Sequence, residues 1–195
     1  MVATRERWSI VSTAPAPREH DRRIRVPDLL RAGLRVVVCG TSDATSASGA
    51  GPYYGGRTDE LWTYLYESGL LPEALDAFDD ERALGFGIGF ADLVRDGGSR
   101  STDVVVGLHY DVTGFITRVA AHEPRWIALH GSGTAKLLMS SVGGPEPALG
   151  PQTWTIGGSR IFVLPDCSGA NRDPRRWGGK ASRLEWFTDL AALLG

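Results

Sequence analysis

The run LRVVVCG, residues 34–40, is apolar at almost every position and closes on Cys39 and Gly40. A strand with one wet face alternates polar and apolar residues, so an unbroken run fits a parallel strand covered on both faces. ELWTYLYESGLL (60–71) then places Leu61, Trp62, Leu65, Tyr66 and Leu70 at helical spacing, with Gly69 as a stop. A polar helix is expected over 72–82, and LGFGIGFADLV (84–94) reads as strand-like or irregular, its glycines giving backbone close access to a neighbour.

HYDVTGFITRVAAHEP (109–124) reads as a helix ending before Pro124. RWIALHG (125–131) is a second buried strand, and SGTAKLLMSSV (132–142) a helix with Ser132 as N-cap. In QTWTIGGSRIFVLPD (152–166) the pair Gly157 and Gly158 is a two-residue turn between strands. A last helix over 180–194 carries Leu184, Phe187, Leu190 and Leu194 on one stripe. Strands alternating with helices predict a three-layer α/β/α sandwich around a short, mainly parallel sheet. Ligands of such sheets bind beyond the carboxyl ends of the strands, where this chain has the loops TSDATSASGAG (41–51), HGSG (130–133) and LPDCSGANR (164–172).

With 195 residues and 42% hydrophobic content the chain can bury one sizeable core. Residues 1–23, rich in Arg, Pro, Ala and Ser, predict a flexible N-terminal arm, and 24–195 a single domain. The net charge of −2 does not announce a nucleic-acid binder, yet apart from Lys136 and Lys180 all the basic side chains are Arg, the better fork for phosphate. They cluster at Arg22, Arg23 and Arg25 and again at Arg172, Arg175 and Arg176. Two cysteines are too few for a disulfide framework and read as free thiols. The absence of a signal-length apolar run in the first thirty residues, or of any spanning run, leads us to expect a soluble, cytoplasmic protein without a membrane partner.

The Gly/Ser-rich loop after Gly40 lacks the Gly-Lys-Ser/Thr of a P-loop and the GxGxxG of a dinucleotide fold. HGSG lacks the spacing of a nucleophile elbow, and the four histidines share no metal-ligand spacing. What remains is small-residue backbone, the loop carboxylates Asp43 and Asp166, and the rings of Tyr53 and Tyr54. Such a set suits a planar, neutral, amide-rich ligand such as a pyrimidine base, read at its edge by backbone groups and stacked on its face by a ring. On residue types alone a structural role stays equally open, with the tyrosines packing the loop and the carboxylates capping helices.

GLRVVVCG (33–40), GAGPYYGGRTDELW (49–62), GIGFADLV (87–94), HEPRWIALHG (122–131) and QTWTIGGSRIFVLPDCSGANR (152–172) together resemble, in the same order, the segments of the mismatch-specific uracil/thymine-DNA glycosylases of the uracil-DNA glycosylase superfamily. The resemblance implies that 40–44 is the first active-site motif, with Gly40 and Thr41 against the substrate. Ser42 stands where the family has its water-positioning Asn, and Asp43 where it has Pro. Tyr54, beside Tyr53, falls on the ring that stacks on the flipped base, and His130 on the end of the second strand. Residues 165–172, with Asp166, Ser168, Gly169, Ala170, Asn171 and Arg172, fall on the loop that enters the duplex.

Cleaving an N-glycosidic bond builds an oxocarbenium-like sugar and a uracil anion, so such a site needs an anion near the sugar, donors at the uracil oxygens and a held water. Asp43 is expected to supply the first and activate the third, with Ser42 and Asp166 as the other catalytic candidates. Backbone N–H groups with His130 or Ser168 are expected to be the donors. The resemblance thus implies a monomeric, monofunctional uracil-excising enzyme acting on single- or double-stranded DNA without metal or organic cofactor. The alternative is a member of the superfamily that only binds DNA or a free base.

Overall fold

The computed structural model describes residues 9–10, 27–41, 52–56, 58–93 and 112–195. In chain order the elements are β1 (Ser9–Ile10), β2 (Val36–Gly40), α1 (Leu61–Glu67), α2 (Asp80–Ala83), β3 (Ile88–Asp92), α3 (Val112–Ala120), β4 (Trp126–His130), α4 (Ser132–Ser141), β5 (Gly150–Ile156), β6 (Ser159–Leu164) and α5 (Leu184–Leu194). They form one sheet of order β1-β5-β6-β4-β2-β3, parallel throughout except for the β5–β6 hairpin. The expected α/β/α sandwich with a mainly parallel sheet is therefore the fold. Ser9 and Ile10, inside the segment expected to be an arm, pair with Thr155 and Ile156 of β5.

The burial of β2 explains its unbroken apolar run. Val36 and Val38 enter a core with Leu61 and Leu65 of α1 and Phe187 and Leu190 of α5. Val37 and Cys39 point into a second core with Phe115 and Val119 of α3 and Leu138 of α4. Successive side chains of a strand alternate faces, so a strand between two helical layers must be apolar at every position. Each such side chain contributes roughly 1.5–3 kcal/mol on burial. Within the sheet β2 is an interior strand, flanked by β3 and β4 in register, with Val38 opposite both Phe90 and Ala128.

Several local expectations change. In place of one helix over 72–82, the chain makes a 3-10 turn at Ala77–Asp79, the short α2, and a second 3-10 turn at Leu84–Phe86. Asp76 initiates the first turn by accepting the Phe78 N–H at 2.8 Å, the use of Asp that competes with a continuing helix. The neighbour approached by the glycines of 84–94 is the chain itself: a Cβ on Gly89 would lie 2.5 Å from the Leu29 carbonyl oxygen. Ser132 is not the N-cap of α4. Gly131 holds that position at φ 91°, where a side chain would be strained, and Ser132 begins the helix. α5 starts at Leu184 and leaves Lys180 outside, while Gly157 and Gly158 make the expected tight turn, both at positive φ. No helix among the described residues is long and apolar enough to cross a membrane.

Candidate functional site

The carboxyl ends of β2, β4 and β6 open into a cavity of about 390 Å³. Gly40 and Thr41 come from the end of β2, His130 from the end of β4, and residues 131–134 from the N-cap and first turn of α4. Pro165, Asp166, Ser168 and Asn171 come from the loop after β6, and Tyr54, Asp59 and Arg176 complete the wall.

A hydrogen-bonded ladder ties two of these strand ends together. Thr134 Oγ1 donates to the His130 carbonyl at 2.7 Å, so the 2.7 Å contact between Thr41 and Thr134 hydroxyls runs from Thr41 as donor. His130 is almost fully enclosed, and its Nε2 accepts the Cys167 N–H at 3.0 Å. The neutral ring then carries its proton on Nδ1. Burial pulls the His130 pKa below its ordinary value against the opposing pull of Asp59 and Asp166, so at neutral pH the ring is an uncharged donor.

Tyr54 is buried at a positive φ of 55° and stands against the His130 ring. Its hydroxyl is buried with no partner among the described residues, and burial pushes its pKa up, leaving a neutral phenol. Tyr53 is not among the lining residues. It stacks on Phe90 with ring centroids 5.3 Å apart, its carbonyl accepts the Trp62 indole N–H, and it packs in the core beside Tyr54.

The carboxylates divide by environment. Asp166 spends both oxygens on its own loop, accepting the Ser168 N–H at 2.8 Å and the Ser168 hydroxyl at 2.9 Å. Asp59 was not singled out by its sequence, because an Asp just ahead of an amphipathic helix reads as a cap. It does accept the Leu61 N–H at 2.9 Å, yet it also lines the cavity, and burial raises its pKa despite the lowering influence of His130. The signal that could have found it is its distance of five residues from Tyr54 in one loop. Ser42 and Asp43 lie outside the described residues, directly after Thr41.

In the 165–172 loop, Asn171 is buried. Its Nδ2 donates to the Asp166 carbonyl at 2.8 Å, and its Oδ1 has no partner among the described residues. Gly169 passes so close to Thr58 that a Cβ would sit 2.8 Å from it. Ala170 and Arg172 are exposed outside the cavity wall, with Arg172 Nε donating to the Gly169 carbonyl at 3.0 Å. Among the described residues no group of three or more His, Cys, Asp or Glu side chains is placed to hold a metal. Cys39 and Cys167 are buried free thiols whose pKa values burial raises, which leaves them unreactive.

This architecture, a three-layer sandwich with its cavity beyond the carboxyl ends of a short, mainly parallel sheet, is shared with a solved structure of the uracil-DNA-glycosylase-like fold. No family model matches the chain. A solution NMR structure from Methanosarcina acetivorans, assigned only provisionally as a uracil DNA glycosylase, is similar over 87% of this chain and 98% of its own, with a TM-score of 0.51 and 20% sequence identity. At that identity the likeness carries the fold and not the chemistry.

Proposed function

We propose that the protein is a monofunctional DNA glycosylase that draws uracil out of DNA into the 390 Å³ cavity and hydrolyses its N-glycosidic bond. Its placement beside the mismatch-specific uracil/thymine branch belongs to the same proposal and rests on the segments quoted above. The observation that carries the reading is the enclosed His130 ring set edge-on to Tyr54, with its Nε2 held by the Cys167 N–H and the Asp59 carboxyl in the same strand-end pocket, an enclosure that lowers the His130 pKa and raises that of Asp59. An uncharged imidazole can hydrogen-bond a uracil oxygen as negative charge develops there, without protonating it outright. A carboxylate whose pKa is moved toward neutrality suits proton removal from water.

In the reaction, water attacks the sugar C1′, the bond from C1′ to the base nitrogen breaks, and the bonding pair leaves with uracil as its anion. The water proton passes to a carboxylate. Asp43 is the carboxylate implied by the first motif, and Asp59 the one favoured by its place in the cavity wall and its raised pKa. Asp166, engaged by Ser168 on both oxygens, is assigned to holding the loop. Gly40, Thr41, Ser168 and Asn171 surround the base, while Gly169, Ala170 and Arg172 face the DNA. Extruding a base costs a few kcal/mol, and least from single strands.

The test is release of free uracil from labelled oligonucleotides, single- and double-stranded, in parallel with thymine mismatches, hypoxanthine and xanthine. Release of uracil supports the proposal. Tight binding without release of any base supports the base-binding alternative.

A further inference from the structure

Arg183 lies just ahead of α5 and outside the cavity lining, yet it is only 6% exposed. Its guanidinium sits over the rings of Tyr64 and Trp177, 5.6 Å and 5.9 Å from their centroids. Nη1 donates to the Asp166 carbonyl at 3.1 Å and to the Ser168 carbonyl at 3.0 Å, and Nη2 donates to Glu60 Oε2. Between those two carbonyls, the Cys167 carbonyl accepts the Glu60 N–H at 3.2 Å. Glu60 is steadied in turn by the Tyr64 hydroxyl at 3.0 Å. Three consecutive carbonyls of the loop are thus held by the Arg183–Glu60 pair, and the peptide N–H of Cys167 is left to the cavity side, where it meets His130 Nε2.

We propose that Arg183 is a positioning residue: by gripping the carbonyls of Asp166 and Ser168 it fixes the Cys167 N–H on His130 Nε2, and so keeps the His130 ring protonated at Nδ1. A buried guanidinium is costly to hold unless its fork is satisfied, and a Lys cannot bridge two carbonyls and a carboxylate in the same plane. The role goes beyond tying the fold together because the gripped segment supplies the one hydrogen bond that decides which imidazole nitrogen carries the proton. The charges facing His130 are Asp59, Asp166 and Arg183 itself. Loss of the Arg183 charge would therefore shift the ring's titration with no change of position, and a charge-conserving variant is needed to separate the two effects.

The experiment records the imidazole nitrogens of protein carrying ¹⁵N-histidine, with His130→Gln to assign the signal, in the parent, Arg183→Lys, Arg183→Met and Glu60→Gln. The parent is expected to show the Nδ1–H form. Both Arg183→Lys, which keeps the charge, and Glu60→Gln, which keeps the guanidinium but weakens its anchor, are expected to show a mixture of tautomers and a raised titration midpoint. If Arg183→Met fails to fold, those two variants still decide. A parent-like Nδ1–H signal and midpoint in Arg183→Lys overturns the inference, since charge alone would then account for the effect. The rate arm rests on the proposed function: Arg183→Lys is expected to slow single-turnover uracil release at least about 10-fold with DNA binding retained. Absence of uracil release by the parent would sink the proposed function alone, because the tautomer measurement needs no activity.

Discussion

Tyr54 stands edge-on to His130, with ring centroids 4.9 Å apart and planes at 79°. The pair forms a corner, one wall aromatic and the other a polar edge, of the kind that takes a flat heterocycle against its face and its rim together. Tyr54→Ala is expected to lose roughly 1–3 kcal/mol of base binding, whereas Tyr54→Phe keeps most of it. Because the phenol oxygen is buried without a partner among the described residues, Tyr54→Phe is also expected to be at least as stable as the parent. Titration with free uracil and thermal unfolding of both variants check this.

Asp59 and Asp43 make opposite claims on the water. If Asp59 removes its proton, Asp59→Asn lowers the single-turnover rate by at least about 100-fold with DNA binding intact, and Asp43→Asn has the smaller effect. The reverse ranking returns the role to the first motif. Asp166→Asn is expected to cost less than either in rate. Its price in stability is about 1 kcal/mol, because the amide keeps only one acceptor for Ser168.

The pH dependence of stability follows from two shifts of opposite sign. His130 has a depressed folded pKa, so its contribution is fully present above the ordinary 6.5 and is lost as pH falls through the lower folded value. Asp59 has a raised folded pKa, so its contribution is fully present below the ordinary 3.8 and is lost as pH rises through the higher folded value. His130→Gln should therefore flatten the acid side of the stability profile. Asp59→Asn should remove the loss above pH 3.8 and match or exceed the parent's stability near neutrality. Urea unfolding at intervals between about pH 4 and 8 reads both.

Ala170 and Arg172 set the expectation for DNA. A methyl group fills a vacated base stack poorly, so the proposed activity is expected to be high on single strands and to depend little on a mismatch. Arg172→Ala, which removes an exposed guanidinium, should weaken duplex binding several-fold and flatten its salt dependence, with a smaller effect on the rate at saturating DNA. Binding isotherms at two salt concentrations beside single-turnover rates distinguish these effects.

Strand β2 was legible in sequence because burial on both faces leaves a mark on every residue, Val36 to Cys39 alike. The tight turn at Gly157 and Gly158 was legible because positive φ at both positions selects glycine. Asp59 was not, since a carboxylate capping a helix and one lining a cavity have the same local sequence, and only the return of β4 and the loop after β6 makes Asp59 a neighbour of His130. Gly89 likewise gave no sign of its partner, because the carbonyl it accommodates belongs to Leu29, 60 residues earlier in the chain. Arg183 was hidden for the same reason: two of its acceptors are backbone carbonyls, which every residue has, and the third, Glu60, lies 123 residues earlier in the chain.

The pairing at the two margins of the sheet has a consequence for solubility. A bare outer strand is a template on which another polypeptide can assemble. Here residues from the first thirty of the same chain close both margins: Ser9 and Ile10, as the two-residue β1, run along β5, and Leu29 exchanges two backbone hydrogen bonds with Phe90 of β3. A version trimmed ahead of residue 34 would keep every cavity-lining side chain, yet it would uncover both margins at once and invite strand-to-strand self-association.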